Sequence, residues 1–372
     1  MRILLASRTY WPSLDGTAEV VRTLAEHLSR SGHEVHVVTS ERPGVQARIE
    51  EVNGVTVHKL SIAGNQMTAL TGEVAAYQSL ILENSWDVVH IHGGQMWTID
   101  AVIPIAERIR SKLIFTPHGS PAFGNPEWSA YYERLFAALA AYFHCTTLLS
   151  ASSPFAIGLL QNEIQHAVIG NGVDVAGIDS SQQSVRASWG FSTSPWVVNV
   201  GNHAPVKGHK MIHALARASK KANFSIVGNS YPAEKYGLGR YGVQGGCYYS
   251  CSVAARLIPN LFLHQHLKRF EVLAAIKEAD VFILPSTTEA FPLVILEAMA
   301  AGTPWVGFDV GNLRELKGGI VVSGVKPMQD MLADLLANPE QRGQLGREGK
   351  EFVAKNYDWP IILAKYEEIY HA

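Results

Sequence analysis

The sequence has 372 residues, 47% of them hydrophobic and 17% charged, and a formal net charge of -2 at pH 7. The nearly balanced charge excludes a strongly basic protein that binds nucleic acid or anionic membranes through its overall electrostatics. The length suits two domains, each large enough to bury its own core.

The first half of the chain alternates short apolar runs with helical stretches. This alternation predicts a mostly parallel sheet with helices on both faces, which is a Rossmann-like α/β domain. The predicted strands are residues 3–7, 35–39, 55–59, 88–92, 113–116 and 146–149. The predicted helices are residues 17–31, 98–110 and 127–141.

Three residues of this domain follow predicted strands directly or in the next loop. Gly16 precedes the first helix, where it either lets the backbone approach a ligand or simply makes a turn. His92 and His118 each end a strand and precede glycine. An isolated histidine is more often packed or capped than functional, but ligands of such folds bind at the carboxyl ends of strands.

The sequence changes character after residue 170. Asn171-Gly172-Val173-Asp174 is followed by a Ser/Gln-rich stretch, which predicts a linker over 171–195 between a first domain, 1–170, and a second domain, 196–355. A second strand and helix cycle then begins with a strand at 196–201 and a helix at 210–220. Lys207 lies on the loop between them, where its ammonium can meet an anion.

Further strands are predicted at 224–228 and 261–264, and a further helix at 271–278. Residues 229–258 are rich in glycine and tyrosine, and form either an acceptor-contacting or dimer-forming loop or a plain surface insertion.

The most informative stretch is residues 280–308. It contains a buried strand at 281–284, a loop with Glu289, and a helix that starts after Pro292 and stops at Gly302. The first-turn amides of this helix, at 293–295, should face a phosphate. Glu297 follows one turn later, where its carboxylate suits ribose hydroxyls, so the implied ligand is a nucleotide.

The string Glu289-Ala-Phe-Pro-Leu-Val-Ile-Leu-Glu297 resembles the donor-site signature of the retaining glycosyltransferases of family four. Thr-Pro-His118-Gly, Asn171-Gly172-Val173-Asp174 and the tail from Tyr357 to Tyr370 are also similar to that family. The resemblance covers essentially the whole chain. It implies the GT-B fold: two Rossmann-like domains face each other across a cleft, and a C-terminal helix, 356–372, packs back on the N-terminal domain.

The resemblance also implies roles for particular residues. Glu289 and His118 would lie by the donor sugar, Lys207 by the diphosphate, Glu297 at the ribose, and His92 on the acceptor side. The stretch that holds the diphosphate comprises Phe291, Pro292, Leu293 and Val294. Gly16 would be half of a glycine pair at the donor or acceptor.

One position departs from the family pattern, because Asn202 stands where the family has an arginine. Loss of a charge-assisted contact costs roughly 1.5 to 3 kcal/mol. Either the donor binds more weakly, or another cation such as Arg314 or Arg22 substitutes.

The implied function is transfer of a hexose-type sugar from a nucleotide diphosphate sugar, with UDP-sugar the first candidate, to a hydroxyl of a carbohydrate or lipid-linked acceptor with retention. Such an enzyme would serve polysaccharide or glycoconjugate biosynthesis. The metal-binding pattern Asp-x-Asp is absent, which predicts a reaction without a metal or other cofactor. A nucleotide-sugar epimerase, a phosphorylase and a non-catalytic nucleotide-sugar binding protein are the alternatives.

Cys145, Cys247 and Cys251 are too few and too irregular to define a disulfide framework or a zinc site, because no second ligand pair accompanies the C-x3-C spacing. They are interpreted as structural thiols of a reducing compartment. No stretch reaches the roughly 18 apolar residues of a membrane span, and the N-terminus does not suit a signal peptide, which favours a cytoplasmic protein. The short basic stretch at 107–112 leaves peripheral association with a membrane open.

Overall fold

The computed structural model describes residues 1–13, 15–41, 47–120, 122–180, 184–191, 194–230 and 246–372. These residues form two compact units. Unit 1 comprises Met1–Asn171 and Ile362–Ala372, and unit 2 comprises Gly172–Ile361.

Unit 1 is built on an eight-stranded sheet. Its strands are β1 (Arg2–Ala6), β2 (Glu34–Ser40), β3 (Arg48–Val52), β4 (Val55–Leu60), β7 (Val88–His92), β8 (Lys112–Thr116), β9 (Cys145–Leu148) and β10 (His166–Val168), while β5 (Ile62–Asn65) and β6 (Ala69–Gly72) form a separate antiparallel pair. The order in the large sheet is β10-β9-β8-β7-β1-β2-β4-β3, and every neighbouring pair is parallel except β3 with β4. Runs such as Val88–His92, buried at all five positions, explain the parallel arrangement, since such strands are covered on both faces.

The helices of unit 1 are α1 (Gly16–Arg30), α2 (Val74–Leu82), α3 (Trp97–Asp100), α4 (Ser129–Tyr142) and α5 (Phe155–Gln161). The predicted helix over 98–110 was wrong. The chain instead forms α3 and a separate 3-10 segment, Ile103–Arg108, which has Pro104 in its first turn. Proline lacks an N–H and its ring clashes with the carbonyl four residues earlier, so an α-helix cannot run through this position undisturbed.

Unit 2 contains a fully parallel six-stranded sheet in the order β13-β12-β11-β14-β15-β16. Its strands are β11 (Trp196–Val200), β12 (Asn223–Val227), β13 (Leu261–His264), β14 (Val281–Leu284), β15 (Trp305–Phe308) and β16 (Gly319–Val322). Its helices are α6 (Val175–Ser180), α7 (His209–Ala218), α8 (Gly246–Leu257), α9 (Arg269–Glu278), α10 (Leu293–Ala300), α11 (Val325–Ala337) and α12 (Pro339–Asn356), followed by α13 (Trp359–His371), which leads into the last residues of unit 1.

In both sheets the strand order reverses beside the first strand. In unit 2 the chain moves outward from β11 through β12 to β13, then returns to the other side of β11 with β14. In doubly wound sheets the loops that leave the two strands at such a switch point diverge and open a crevice at the carboxyl ends. In unit 2 those loops follow β11 and β14, and they carry Lys207 and Glu289.

The linker is predicted over 171–195, and from Gly172 onward this segment belongs to unit 2. Arg186 explains this attachment. Its guanidinium donates to Asp280 at 2.9 Å and to the carbonyl of Ser194, also at 2.9 Å. The backbone amide of Val185 donates to the Glu278 carboxylate at 2.8 Å. The described part of this segment is therefore fastened to the second sheet.

The segment 229–258 is also more regular than predicted, since Gly246–Leu257 forms α8. Residues 231–245 lie outside the described residues. Cys251 and Ala254 of α8 are buried in the hydrophobic core of unit 2.

Among the described residues, no helix is both long and apolar enough to cross a membrane.

A buried histidine joins the last helix to the first sheet. His90, in β7, contacts the hydroxyl of Tyr370 through Nδ1 and the hydroxyl of Thr116 through Nε2, both at 2.7 Å. Lys112 also donates to the Tyr370 carbonyl at 3.1 Å. Burial lowers the pKa of His90 to about 3, so the ring is neutral in the folded protein at pH 7.

We expect His90 to make the stability of the protein depend on pH. Its pKa in the unfolded chain is about 6.5. Because the pKa is lower in the folded protein, the unfolded state takes up the proton first as the pH falls below 6.5, and stability is lost. His90→Gln should remove up to about 1.4 kcal/mol of this loss per pH unit, measured by urea unfolding at pH 5 and pH 7.

The control for this experiment is His144→Gln, which changes an exposed histidine of the same unit. The control should keep the pH dependence of the original protein. Equal slopes for His90→Gln and the original protein would contradict the role assigned to His90.

Candidate functional site

Two loops of unit 2 are held against each other at the switch point. Gly208, which ends the loop after β11, has a φ of 68°, and a Cβ there would lie 2.0 Å from the carbonyl oxygen of Pro285. The amide of Thr287 donates to the carbonyl of Val206 at 2.8 Å. Only glycine fits this contact, which explains why a glycine follows Lys207 in the sequence.

The structure brings Lys207 and Glu289 together. Lys207 Nζ lies 2.7 Å from Glu289 Oε1, and the two side chains are 29% and 11% exposed. The lysine stem lies beside Gly201, where a Cβ would be 3.5 Å from Lys207 Cδ. An ammonium and a carboxylate therefore share one partly buried position at the carboxyl ends of the central strands.

Helix α10 begins immediately after the Glu289 loop. Pro292 is its N-cap and supplies no side-chain cap, and the first turn contains no acidic residue. Phe291 and Pro292 are buried, whereas Leu293 and Val294 are half-buried. The partial positive charge of the helix start is thus not met by a carboxylate from its own first turn, and an anion is favoured there.

Glu297 lies one turn further along α10 and is buried. Its Oε1 accepts a hydrogen bond from Arg269, the first residue of α9, at 2.5 Å. Its Oε2 is buried and has no hydrogen-bond partner within the described chain. The sequence interpretation missed Arg269, because no motif or spacing marks a helix start as the partner of an acid 28 residues away.

Asn202 accepts a hydrogen bond from the amide of Asn229 at 3.0 Å, so it helps to hold the loops after β11 and β12. The two arginines considered as substitutes for the absent cation have carboxylate partners. Arg314 bonds Asp309 at 2.6 Å through two nitrogens, and Arg22 forms ion pairs with two glutamates of α1.

Unit 1 brings its own predicted residues together. His92 Nδ1 lies 2.8 Å from His118 Nε2. Asp15 caps α1 directly before Gly16, and its charge acts on His118. Burial lowers the pKa of His118 to about 4 and that of His92 well below its usual value, although the charge of Asp15 opposes the shift of His118. Both rings are therefore neutral hydrogen-bonding groups at pH 7.

The interpretation that Cys247 and Cys251 lack a second pair of ligands was wrong. His203 and His209 lie beside them, and one potential ligand atom from each of the four residues falls within 4.8 Å of the others. Cys247 lies 38 and 44 residues after the two histidines, so no short spacing reveals this site.

Two family models match the chain. The family described as "Glycosyl transferase 4-like domain" matches residues 15–172, and "Glycosyl transferases group 1" matches residues 181–352. These ranges divide the chain near the boundary between units 1 and 2.

Individual relatives match most or all of the chain. A glycogen synthase of Mycobacterium tuberculosis is 27% identical over 100% of this chain and 95% of its own. A GDP-mannose-dependent alpha-mannosyltransferase of Mycolicibacterium smegmatis is 25% identical over 85% of this chain and 82% of its own. The solved structure of a sucrose-phosphate synthase from Thermosynechococcus elongatus superposes with a TM-score of 0.79 at 20% identity, covering 100% of this chain and 98% of the other.

The described sheets and these matches agree on a fold of two Rossmann-like domains with mostly parallel strands. The chain therefore belongs to the group 1 glycosyltransferases of family four, enzymes of the GT-B fold that transfer sugars.

Proposed function

We propose that the protein transfers a hexose-type sugar from a nucleotide diphosphate sugar to a hydroxyl of a carbohydrate or lipid-linked acceptor, with retention of configuration. The observation that carries this proposal is the ion pair between Lys207 and Glu289 beside the start of α10. A cation, a carboxylate and a helix start meet at the switch point of a doubly wound sheet, which is where such sheets bind nucleotides.

The main barrier of this reaction is departure of the anionic diphosphate from the anomeric carbon. Positive groups aimed at the developing charge lower that barrier. In this site Lys207 and the first-turn amides of α10, at Leu293 and Val294, supply the positive charge. We propose that Lys207 exchanges its contact with Glu289 for the diphosphate, and that no metal ion takes part in this step.

Glu289 then lies free of its lysine next to the donor sugar. Oxocarbenium character makes the sugar ring electron-poor in the transition state, so a nearby carboxylate stabilises it. Glu297 has a different role, because it lies a turn deeper in α10. Its unpartnered Oε2 is a buried acceptor that suits a ribose hydroxyl, while Arg269 holds its other oxygen in place.

In unit 1, we propose that neutral His118 donates a hydrogen bond to the donor sugar and that His92 serves the acceptor side. Their contact at 2.8 Å lets the orientation of one ring depend on the other. Gly16 begins α1 after the Asp15 cap, which leaves its backbone to approach donor or acceptor.

A second candidate function is nucleotide-sugar binding without turnover. The neutral Asn202 favours it, because this side chain is tied to the Asn229 amide and brings no charge to the leaving group. A protein of this kind would bind the donor and never consume it.

Donor binding is tested by a thermal-shift panel of UDP-, GDP- and ADP-sugars. The proposed contacts are to the diphosphate, the sugar and the ribose, which all three kinds of donor have. The panel therefore shows which nucleobase the protein accepts. We expect one group of donors to stabilise the protein by about 2.7 kcal/mol when the donor is present at a hundred times its dissociation constant. UDP-sugars are the first candidates and GDP-sugars the alternative. No stabilisation by any nucleotide sugar would contradict the proposed site.

Turnover is tested with Lys207→Ala and Glu289→Ala. Each variant removes a charge that the transition state needs, so we expect sugar transfer to fall by roughly 100-fold or more, about 2.7 kcal/mol. The control is Lys210→Ala, which removes an exposed lysine three residues away and should leave the rate unchanged. Near-normal rates in both site variants, with circular dichroism spectra of the folded protein, would refute the assignment.

The ribose role of Glu297 is tested by comparing a nucleotide with its 2′-deoxy form. The unchanged enzyme should prefer the ribonucleotide, because the lost hydroxyl leaves a buried carboxylate unpaired. Glu297→Gln should reduce that preference by roughly 10-fold, measured as a ratio of inhibition constants for the two nucleotides. The ratio is its own control, since a general loss of affinity cancels; an unchanged ratio would rule out this role.

A further inference from the structure

A cluster of four side chains in unit 2 takes no part in the proposed reaction. His203 lies on the loop after β11, His209 is the first residue of α7, and Cys247 and Cys251 stand one turn apart on α8. His203, His209 and Cys251 are buried, and Cys247 is half-buried. We call these four residues the His2Cys2 cluster.

The distances among three ligand atoms of the His2Cys2 cluster match those around one tetrahedral ion. The two Nδ1 atoms of His203 and His209 are 3.2 Å apart, and the sulfur of Cys247 lies 3.5 Å from one and 3.9 Å from the other. Tetrahedral zinc with ordinary bond lengths places two nitrogens about 3.3 Å apart, and a nitrogen and a sulfur about 3.6 Å apart. All four potential ligand atoms lie within 4.8 Å of one another.

The contacts within the cluster are shared and not separate pairs. The Nδ1 atoms of His203 and His209 lie near each other, and both lie near the sulfur of Cys247. Hydrogen-bonded groups usually form separate pairs, whereas these potential ligand atoms occupy one small volume. Beyond the cluster, His213 Nε2 lies 3.4 Å from the sulfur of Cys251. Groups that contact the ligands from outside are a regular part of metal sites.

We propose that the His2Cys2 cluster binds a structural Zn²⁺ ion through two histidine nitrogens and two cysteine thiolates. Two nitrogens and two sulfurs in a tetrahedral arrangement are a preferred ligand set of zinc, and four protein ligands leave no open position for chemistry. Two thiolates balance the charge of the ion, so the bound site is neutral. It therefore adds no net charge beside Lys207, which lies two residues before His209.

The bound ion would connect two neighbouring elements of the chain to a third, α8, that is distant from them in sequence. It would link the loop after β11 to α7 through His203 and His209, and both of these to α8 through the cysteines. Lys207 lies between the two histidines. The ion would thus hold the loop from which Lys207 reaches Glu289, and its role is in positioning that loop rather than in touching the substrate.

The test is metal analysis of the full-length protein, purified without chelators. We expect about one zinc per chain by mass spectrometry of the metal content. Cobalt substituted for zinc should give the visible absorption bands of tetrahedral Co²⁺ and a near-ultraviolet band from thiolate to cobalt charge transfer. The double variant Cys247→Ser with Cys251→Ser should lose the bound zinc and the cobalt absorption bands. Cys145→Ser, which removes the third cysteine, should keep the zinc and the bands.

The cobalt spectrum of the unaltered protein keeps the proposal testable even where the double variant fails to fold. The proposal is overturned by either of two results. One is less than about a tenth of a zinc per chain, together with no uptake of Zn²⁺ or Co²⁺ by the metal-free protein at micromolar concentrations. The other is metal content that the double variant retains in full.

Discussion

The close approach of two backbones in unit 2 is the constraint on which the site depends. Gly208 has no space for a side chain against the carbonyl of Pro285, and the amide of Thr287 is bonded to the carbonyl of Val206. These contacts fix the loops after β11 and β14 relative to each other. Lys207 and Glu289 project from those loops, so the geometry of the charged pair follows from backbone packing and not from the strength of its own ion pair. A partly buried ion pair contributes little net stability by itself, because the lost hydration of both charges offsets their attraction.

The two acids of the candidate site each have a cation, and the difference between their surroundings separates their roles. Glu289 is partly exposed and faces a lysine on a flexible stem, which can release it when a more strongly charged anion arrives. Glu297 is buried in α10 and bonded to the guanidinium of Arg269, whose planar group holds one oxygen in a defined direction. One carboxylate would thus suit the proposed change of partner, and the other the proposed fixed contact with a ribose hydroxyl.

Much of this arrangement can be predicted from the sequence, because the relevant signals are local. Apolar runs such as Val281–Leu284 mark buried strands, and Pro292 marks the start of α10. The prediction of a helix over 98–110 is wrong because Pro104 interrupts the α-helix. The features that could not be predicted depend on the fold bringing distant residues together. Arg269 meets Glu297 only because α9 and α10 pack side by side, and two histidines meet two cysteines only because α7 lies against α8.

The sheet of unit 1 ends in strands that offer little to a second chain. At one edge, β3 runs antiparallel to the rest, and its Arg48 and Glu50 form ion pairs with each other and with neighbouring charged side chains. At the opposite edge, β10 has only three residues. Charged or very short edge strands discourage the addition of a strand from another molecule. Copies of this enzyme are therefore not expected to associate by extending this sheet.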